Sequence, residues 1–339
     1  MPDAGLCADL LPETISPSNS WFPTCGARFG MTPVFLDPHL QCAFEQDGFA
    51  VTRLLSPERA AETLATVLKV RDGKPFEPDT PDHAVPYHVS LMDPDPDYRK
   101  AARAFAEATL TEPLGRILSG YRFLTGGFLV KAPGAAEVCV HRDWTMTGRL
   151  QEVALNCWCA LVDTDAVNGG LALVPGSHAL VGNIEGPGVP SFFAGYAETL
   201  KAYSVAVELK AGEAVIFDYR ALHWSNANRS TDLRVALSAG LVSLDTRPVL
   251  YLPDTADRRQ FRVIEPADPD WTDTIVDRIS PGPMAGRTLG HVRNRNSVVT
   301  QRQFLRLLAK RQASFHSSRG LPGRIMAWVT RPRNLARPQ

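Results

Sequence analysis

Residues 121–144 read YRFLTGGFLVKAPGAAEVCVHRDW, and this stretch decides which folds are open to the chain. Two β-prone runs, Phe123-Leu124 and Phe128-Leu129-Val130, precede the turn Ala132-Pro133-Gly134, and Val138–Val140 is a third run. Branched and aromatic side chains suit a pleated, half-buried surface, and Gly and Pro break it. The same pattern continues through Val153–Leu161, Leu171–Val174, Val205–Leu209, Ala214–Phe217 and Arg234–Val242. Lys210-Ala211-Gly212-Glu213 reads as a hairpin turn between two of these strands. Many short strands with Gly, Pro and Asn turns predict a β-sandwich or jelly roll.

Upstream the period changes. Phe44-Glu45-Gln46-Asp47-Gly48 reads as a helix end with a Gly stop, and Phe49-Ala50-Val51 as a short strand. Ser56 is then a good N-cap, with Pro57 at the first helical position and Glu58 in the first turn. Leu64, Val67 and Leu68 give that helix an apolar face, and a second helix is expected from Tyr98 to Leu118. The fold class expected is therefore mainly β with helical cover, an α+β chain. Residues 1–38, rich in Pro, Ser and Gly, read as an irregular arm. Beyond Pro248 only Gln301–Ala313 looks helical.

Composition narrows the function classes. Of 339 residues, 44% are apolar and 21% charged, enough for a large core and too balanced for a disordered or fibrous chain. No apolar run reaches the ~20 residues of a membrane helix, and the N-terminus lacks the pattern of a secretory leader. Six cysteines without a Cys-x-x-Cys pair do not make a disulfide scaffold, so a reducing cytoplasm is the expected compartment. The net charge of zero hides a division: residues 286–339 carry twelve Lys or Arg and no acid. That segment reads as a solvated basic extension, or as a surface that attracts an anionic partner. It offers no recognisable nucleic-acid module, and nucleic acid is not the expected partner.

His141-Arg142-Asp143 is the first candidate for chemistry. On a strand, residues two apart face the same way, so an imidazole and a carboxylate can converge on one ion. His223 supplies a third ligand after the strand Ala214–Phe217. Two His and one carboxylate on one face, with the remaining positions open, form the facial triad of non-haem iron oxygenases. His178, in the turn Pro175-Gly176-Ser177, competes for the third place. Arg234 opens the last long strand; a guanidinium pointing into an apolar interior needs a partner, either a dicarboxylate cosubstrate or an acid such as Asp218. Strand alternation puts Asn156 on the same face as Trp158, and Cys157 and Cys159 on the other, where they pack. Lys131 ends a strand and is the next candidate cation. Tyr87-His88 sits in the helical-cover region, where it either faces a substrate or, as the favoured reading, forms a satisfied surface pair.

Taken in order, these pieces resemble the phytanoyl-CoA dioxygenase family of Fe(II)/2-oxoglutarate-dependent oxygenases, over about residues 40–245. The resemblance rests on Phe44–Pro57, His141-Arg142-Asp143-Trp144, the loop Asn168-Gly169-Gly170 to His178, and Gly212-Glu213 through His223-Trp224-Ser225 to Arg234. It implies a double-stranded β-helix, a jelly roll, over 39–248, with a basic extension over 249–339. It implies His141, Asp143 and His223 as iron ligands, and Arg234 and Ser225 as holders of the distal 2-oxoglutarate carboxylate. Trp158 corresponds to a family position lining the cosubstrate pocket. His178 becomes a fold element. The cofactors implied are Fe(II), 2-oxoglutarate and O2. The expected reaction is hydroxylation of an unactivated C–H bond, with a small organic or acyl-thioester substrate that the basic extension would favour if anionic. The rivals are a jelly-roll metal enzyme that does not use 2-oxoglutarate, and a non-catalytic protein that binds an anionic partner through its tail.

Overall fold

The computed structural model describes residues 33–70, 75–76, 85–267 and 286–316. Most of the expected N-terminal arm, and the basic residues beyond 316 with Trp328, lie outside the described residues. Helix α1 (Pro38–Asp47) starts on Asp37, whose side chain accepts from the His39 and Leu40 amides, and stops at Gly48. Gly48 has φ +86°, and a Cβ there would lie 2.3 Å from His178 Nδ1, so conformation and space both demand glycine. Strand β1 (Phe49–Arg53) leads to α2 (Pro57–Val70), where the Arg59 amide donates to Ser56 Oγ at 3.2 Å. Val67 is buried as expected, but Leu68 is 40% exposed, because the buried stripe runs through Ala60, Thr63 and Val67.

After β2 (His88–Val89), helix α3 (Pro96–Gly115) is capped by Asp95 and packs on β3 (Tyr121–Lys131). The chain then winds between two sheets: β4 (Val138–His141), β5 (Leu155–Ala160), β6 (Leu171–Leu173), helix α4 (Ala197–Lys201), β7 (Val205–Ala206), β8 (Glu213–Asp218), β9 (His223–Ser225) and β10 (Arg234–Ser243). The large sheet has order β1-β8-β5-β10-β3-β2 and the small one β4-β9-β6-β7. Pairing within both is antiparallel. This alternation between facing sheets is the double-stranded β-helix; the sheets face each other without closing into a barrel.

The expected hairpin at 210–213 is corrected. The turn exists, with Gly212 at φ +84° and the Glu213 amide on the Lys210 carbonyl at 2.8 Å. However, β7 pairs with β6 in the small sheet while β8 pairs with β1 and β5 in the large one. The turn is a crossover between layers.

Three apolar layers result. Between the helices and the large sheet lie Ala60, Val67, Ala102, Leu110, Cys157, Cys159, Ile216 and Leu237. Between the sheets lie Trp158, Leu173, Val215, Phe217 and Ala236. Outside the small sheet lie Val140, Val174, Leu222, Phe304 and Leu308. The last two belong to α5 (Gln301–His316), which follows a separate sheet of β11 (Leu250–Pro253), β12 (Gln260–Pro266) and β13 (Gly286–Arg293). Phe304 and Leu308 are fully buried, worth about 1.5–3 kcal/mol each by transfer from water. Among the described residues no helix is long and apolar enough to cross a membrane.

Candidate metal centre

The ends of β4 and β9 lie side by side, with His141 opposite His223 in the ladder. Their rings are 4.1 Å apart, and His223 Nε2 is 3.9 Å from Asp143 Oδ1. One ligand atom from each of His141, Asp143 and His223 lies within 4.8 Å of the others, the one such cluster among the described residues. Each imidazole is oriented by its own strand: His141 Nδ1 is 2.9 Å from the Cys139 carbonyl, and His223 Nδ1 is 3.1 Å from the Ala221 carbonyl. A proton on Nδ1 leaves Nε2 as the free donor atom, which is how metal-binding imidazoles are usually held. Burial, and then the neighbouring His141, push the His223 pKa down to about 4. His223 is therefore neutral at neutral pH, as a ligand must be.

Asp143 is held at both ends. Its amide donates to the Tyr219 carbonyl at 3.1 Å, and Oδ2 accepts from Asn156 Nδ2 at 3.0 Å. That leaves Oδ1 facing the histidines. The alternation along β5 is as expected: Asn156 and Trp158 turn inward, while Cys157 and Cys159 pack against the helices, with thiol pKa values raised by burial.

A second cluster adjoins the first. Arg234 is 1% exposed, with its guanidinium over the rings of both Tyr87 and Trp158 at 5.2 Å. Its Nη1 reaches the Leu129 carbonyl at 3.4 Å, and its buried Nε has no partner. The alternative partner Asp218 is engaged elsewhere, by Arg220 Nε at 2.9 Å. Among the described residues no carboxylate pairs with Arg234. Directly across the β10–β3 ladder from Arg234 is Lys131, also fully buried. Lys131 Nζ donates to Ser225 Oγ at 2.9 Å and to the Asn226 carbonyl at 2.6 Å, and lies 5.4 Å from the Tyr87 ring. Burial, then Arg234, lower its pKa to about 7. Two buried basic groups that pair with no carboxylate among the described residues, beside a cluster of metal-binding donors, have the form of a carboxylate pocket.

The expectations fare unevenly. Ser225, Trp158, Arg234 and the three ligand candidates are brought together. His178 is not; it is buried beside Phe44 and Gly48, with Nε2 3.4 Å from Arg311 Nη2. Tyr87-His88 is no surface pair: His88 is fully buried, with Nε2 3.0 Å from Tyr98 Oη, and the Tyr87 ring closes the cationic pocket. Sequence reasoning places Asn156 on the face of Trp158 and lets Tyr87-His88 face a substrate, but it assigns neither Asn156 to Asp143 nor Tyr87 to Arg234.

A jelly roll with two imidazoles and one carboxylate at its mouth is the architecture of the iron-dependent oxygenases. The chain belongs to the phytanoyl-CoA dioxygenase family, whose profile it matches over residues 44–236, more than half its length. That is a family of Fe(II)- and 2-oxoglutarate-dependent enzymes. Among solved structures it is similar to the epimerase SnoN in complex with Fe3+, alpha ketoglutarate and nogalamycin RO. The identity is 23% and the TM-score 0.48, covering 62% of this chain and 84% of that one. It is similar to the alpha ketoglutarate-dependent carbocyclase SnoK at 20% identity and TM-score 0.47, covering 76% and 96%. It is also similar to EctD from S. alaskensis with 2-oxoglutarate and 5-hydroxyectoine, at 20% identity and TM-score 0.43, covering 61% and 76%. No curated protein matches the chain.

Proposed function

We propose that this chain is a 2-oxoglutarate-dependent iron dioxygenase that hydroxylates a C–H bond of a small organic or acyl-thioester substrate. The observation that carries the reading is Arg234: a buried guanidinium with an orphaned Nε and no carboxylate partner among the described residues, beside the buried Lys131 amine and the His/Asp/His cluster. A metal enzyme without a dicarboxylate cosubstrate has no use for that pair.

In this reading His141, Asp143 and His223 hold the iron. Arg234 clamps the distal carboxylate of 2-oxoglutarate, and Ser225 and Lys131 complete the clamp. The bound iron supplies O2 activation coupled to decarboxylation of 2-oxoglutarate, giving succinate and CO2. The protein's share is placement and exclusion. Asn156 keeps Asp143 turned so that one oxygen serves the metal. Tyr87 and Trp158 each lay a ring against the guanidinium at 5.2 Å and help keep water from it. Ring faces favour a planar cation, so the site suits Arg and would accept Lys poorly. The test is O2-dependent succinate formation after anaerobic loading with Fe(II) and 2-oxoglutarate, while small organic acids and acyl thioesters are screened for stimulation. Absence of succinate under every condition, with the metal bound, overturns the reading.

A further inference from the structure

One element outside the residues that match the family reaches the centre from behind. Val140, next to His141 on β4, and Leu222, just before β9, turn outward while His141 and His223 turn in. Val140 and Leu222 share one buried apolar cluster with Phe304 and Leu308 of α5. The Phe304 ring lies 5.8 Å from Phe192 and 6.1 Å from Tyr196, and Tyr196 Oη donates to the Val299 carbonyl at 3.1 Å. The far end of α5 is fastened by Arg311, whose Nη2 donates to the carbonyls of Glu45 at 2.8 Å and Gln46 at 3.3 Å and touches His178. Gln312 Nε2 reaches the Pro175 carbonyl at 3.4 Å. The Pro175–His178 turn is in turn tied to the ligand strand, because the Leu222 amide donates to Ser177 Oγ at 2.9 Å.

We propose that α5 is a positioning element for the metal centre. Phe304 and Leu308 back the residues preceding both histidine ligands, and Arg311 acts on His223 through the Pro175–His178 turn. The inference rests on the reading of His141, Asp143 and His223 as the metal ligands. Its physical basis is that β4 has four residues and β9 three. Strands this short have few ladder bonds of their own, so the rotation of their side chains depends on what packs behind them. Residues that orient metal ligands without touching the metal commonly change affinity by about 10–100-fold when removed.

The test uses the full chain, anaerobic titration with Co(II) as the probe, and melting curves of each apoprotein. Leu308→Ala and Arg311→Met are compared with Val67→Ala, a deletion in the opposite layer. The expected result is a Co(II) dissociation constant raised about tenfold in the α5 variants, measured well below their melting points, with a shifted Co(II) absorption band. Val67→Ala should lower the melting temperature and leave the dissociation constant within about twofold and the band in place. Should Leu308→Ala not fold, Leu308→Val and Arg311→Lys answer the same question at smaller amplitude. A lowered melting temperature with unchanged Co(II) affinity and spectrum would reduce α5 to packing and overturn the inference. Failure of the site assignment looks different: wild type and His141→Ala would then bind Co(II) equally.

Discussion

The two sheets of this protein are stabilised in different ways. The large sheet has six strands, among them β3 with eleven residues and β10 with ten, and three helices cover its outer face. The small sheet has four strands of two to four residues, and its outer cover comes from the segment ending in α4 and, far along the chain, from α5. The cationic pocket of Arg234 and Lys131 lies on the long strands. Two of the three metal-binding candidates lie on the short ones. The difference predicts that deletions behind the long strands act mainly on stability and deletions at the short ones also on metal affinity, so mutations on the two sides should have different signatures.

The largest effect should come from the short strands. His223→Ala leaves two donors at the site, and metal binding should fall by more than about a hundredfold in direct titration. A variant that still binds the metal tightly would remove His223 from the centre. On the other side, Leu110→Ala opens a cavity in the helix layer, where Leu110 is fully buried. Denaturant melts should show a loss of about 2–5 kcal/mol, with metal affinity at low denaturant unaltered. If affinity fell as well, the two layers would not be energetically separate.

Arg234→Lys keeps the charge but gives up the two parallel hydrogen bonds that a guanidinium would offer a bound carboxylate. The 2-oxoglutarate concentration for half-maximal succinate formation should rise by an amount worth about 1–3 kcal/mol, and Arg234→Met should be worse, with metal binding intact. Asn156→Ala frees the Asp143 carboxylate to rotate and should weaken metal binding about tenfold with little change in the 2-oxoglutarate requirement. The reverse pattern would move Asn156 to the cosubstrate. The smallest effect is a pH dependence. Lys131 has its pKa lowered to about 7 by burial and then by Arg234, and only its protonated form attracts a carboxylate. Cosubstrate binding must then take up a proton above that pH, so affinity falls as pH rises, by about threefold from pH 6.5 to 7.5. Lys131→Met should flatten the profile.

The legible parts of this chain are those whose meaning is local. His141-Arg142-Asp143 is picked out by its spacing, although β4 ends at His141 and Asp143 lies just beyond it; Gly48 is read from helix-stop chemistry, and the burial of Cys157 and Cys159 from the inward turn of Trp158. What could not be read depends on pairing at a distance. The turn Lys210–Glu213 is visible in sequence, but whether its flanking strands pair with each other is decided by β6, β1 and β5. His88 was placed at the surface because its partner Tyr98 and its neighbour Phe76 come together only in the fold. Lys131 looks like a strand end until the β10 register sets it opposite Arg234. The helix at Gln301 is readable from its pattern, but its apolar face carries no mark of the sheet it covers.

The position of Phe304 and Leu308 late in the chain has a consequence for the order in which the molecule comes into being. A polypeptide made from its N-terminus completes the large sheet once Ser243 has emerged, and both histidine-bearing strands exist before then. Part of their outer cover has not yet been synthesised. A growing chain of this length already holds every candidate ligand, and Val181, Phe193, Tyr196 and Leu200 are there to pack on Val140, Val174 and Leu222, but Phe304 and Leu308 are still missing from that cluster. The apolar back of the small sheet is completed only when α5 arrives, after the strands that would carry the chemistry.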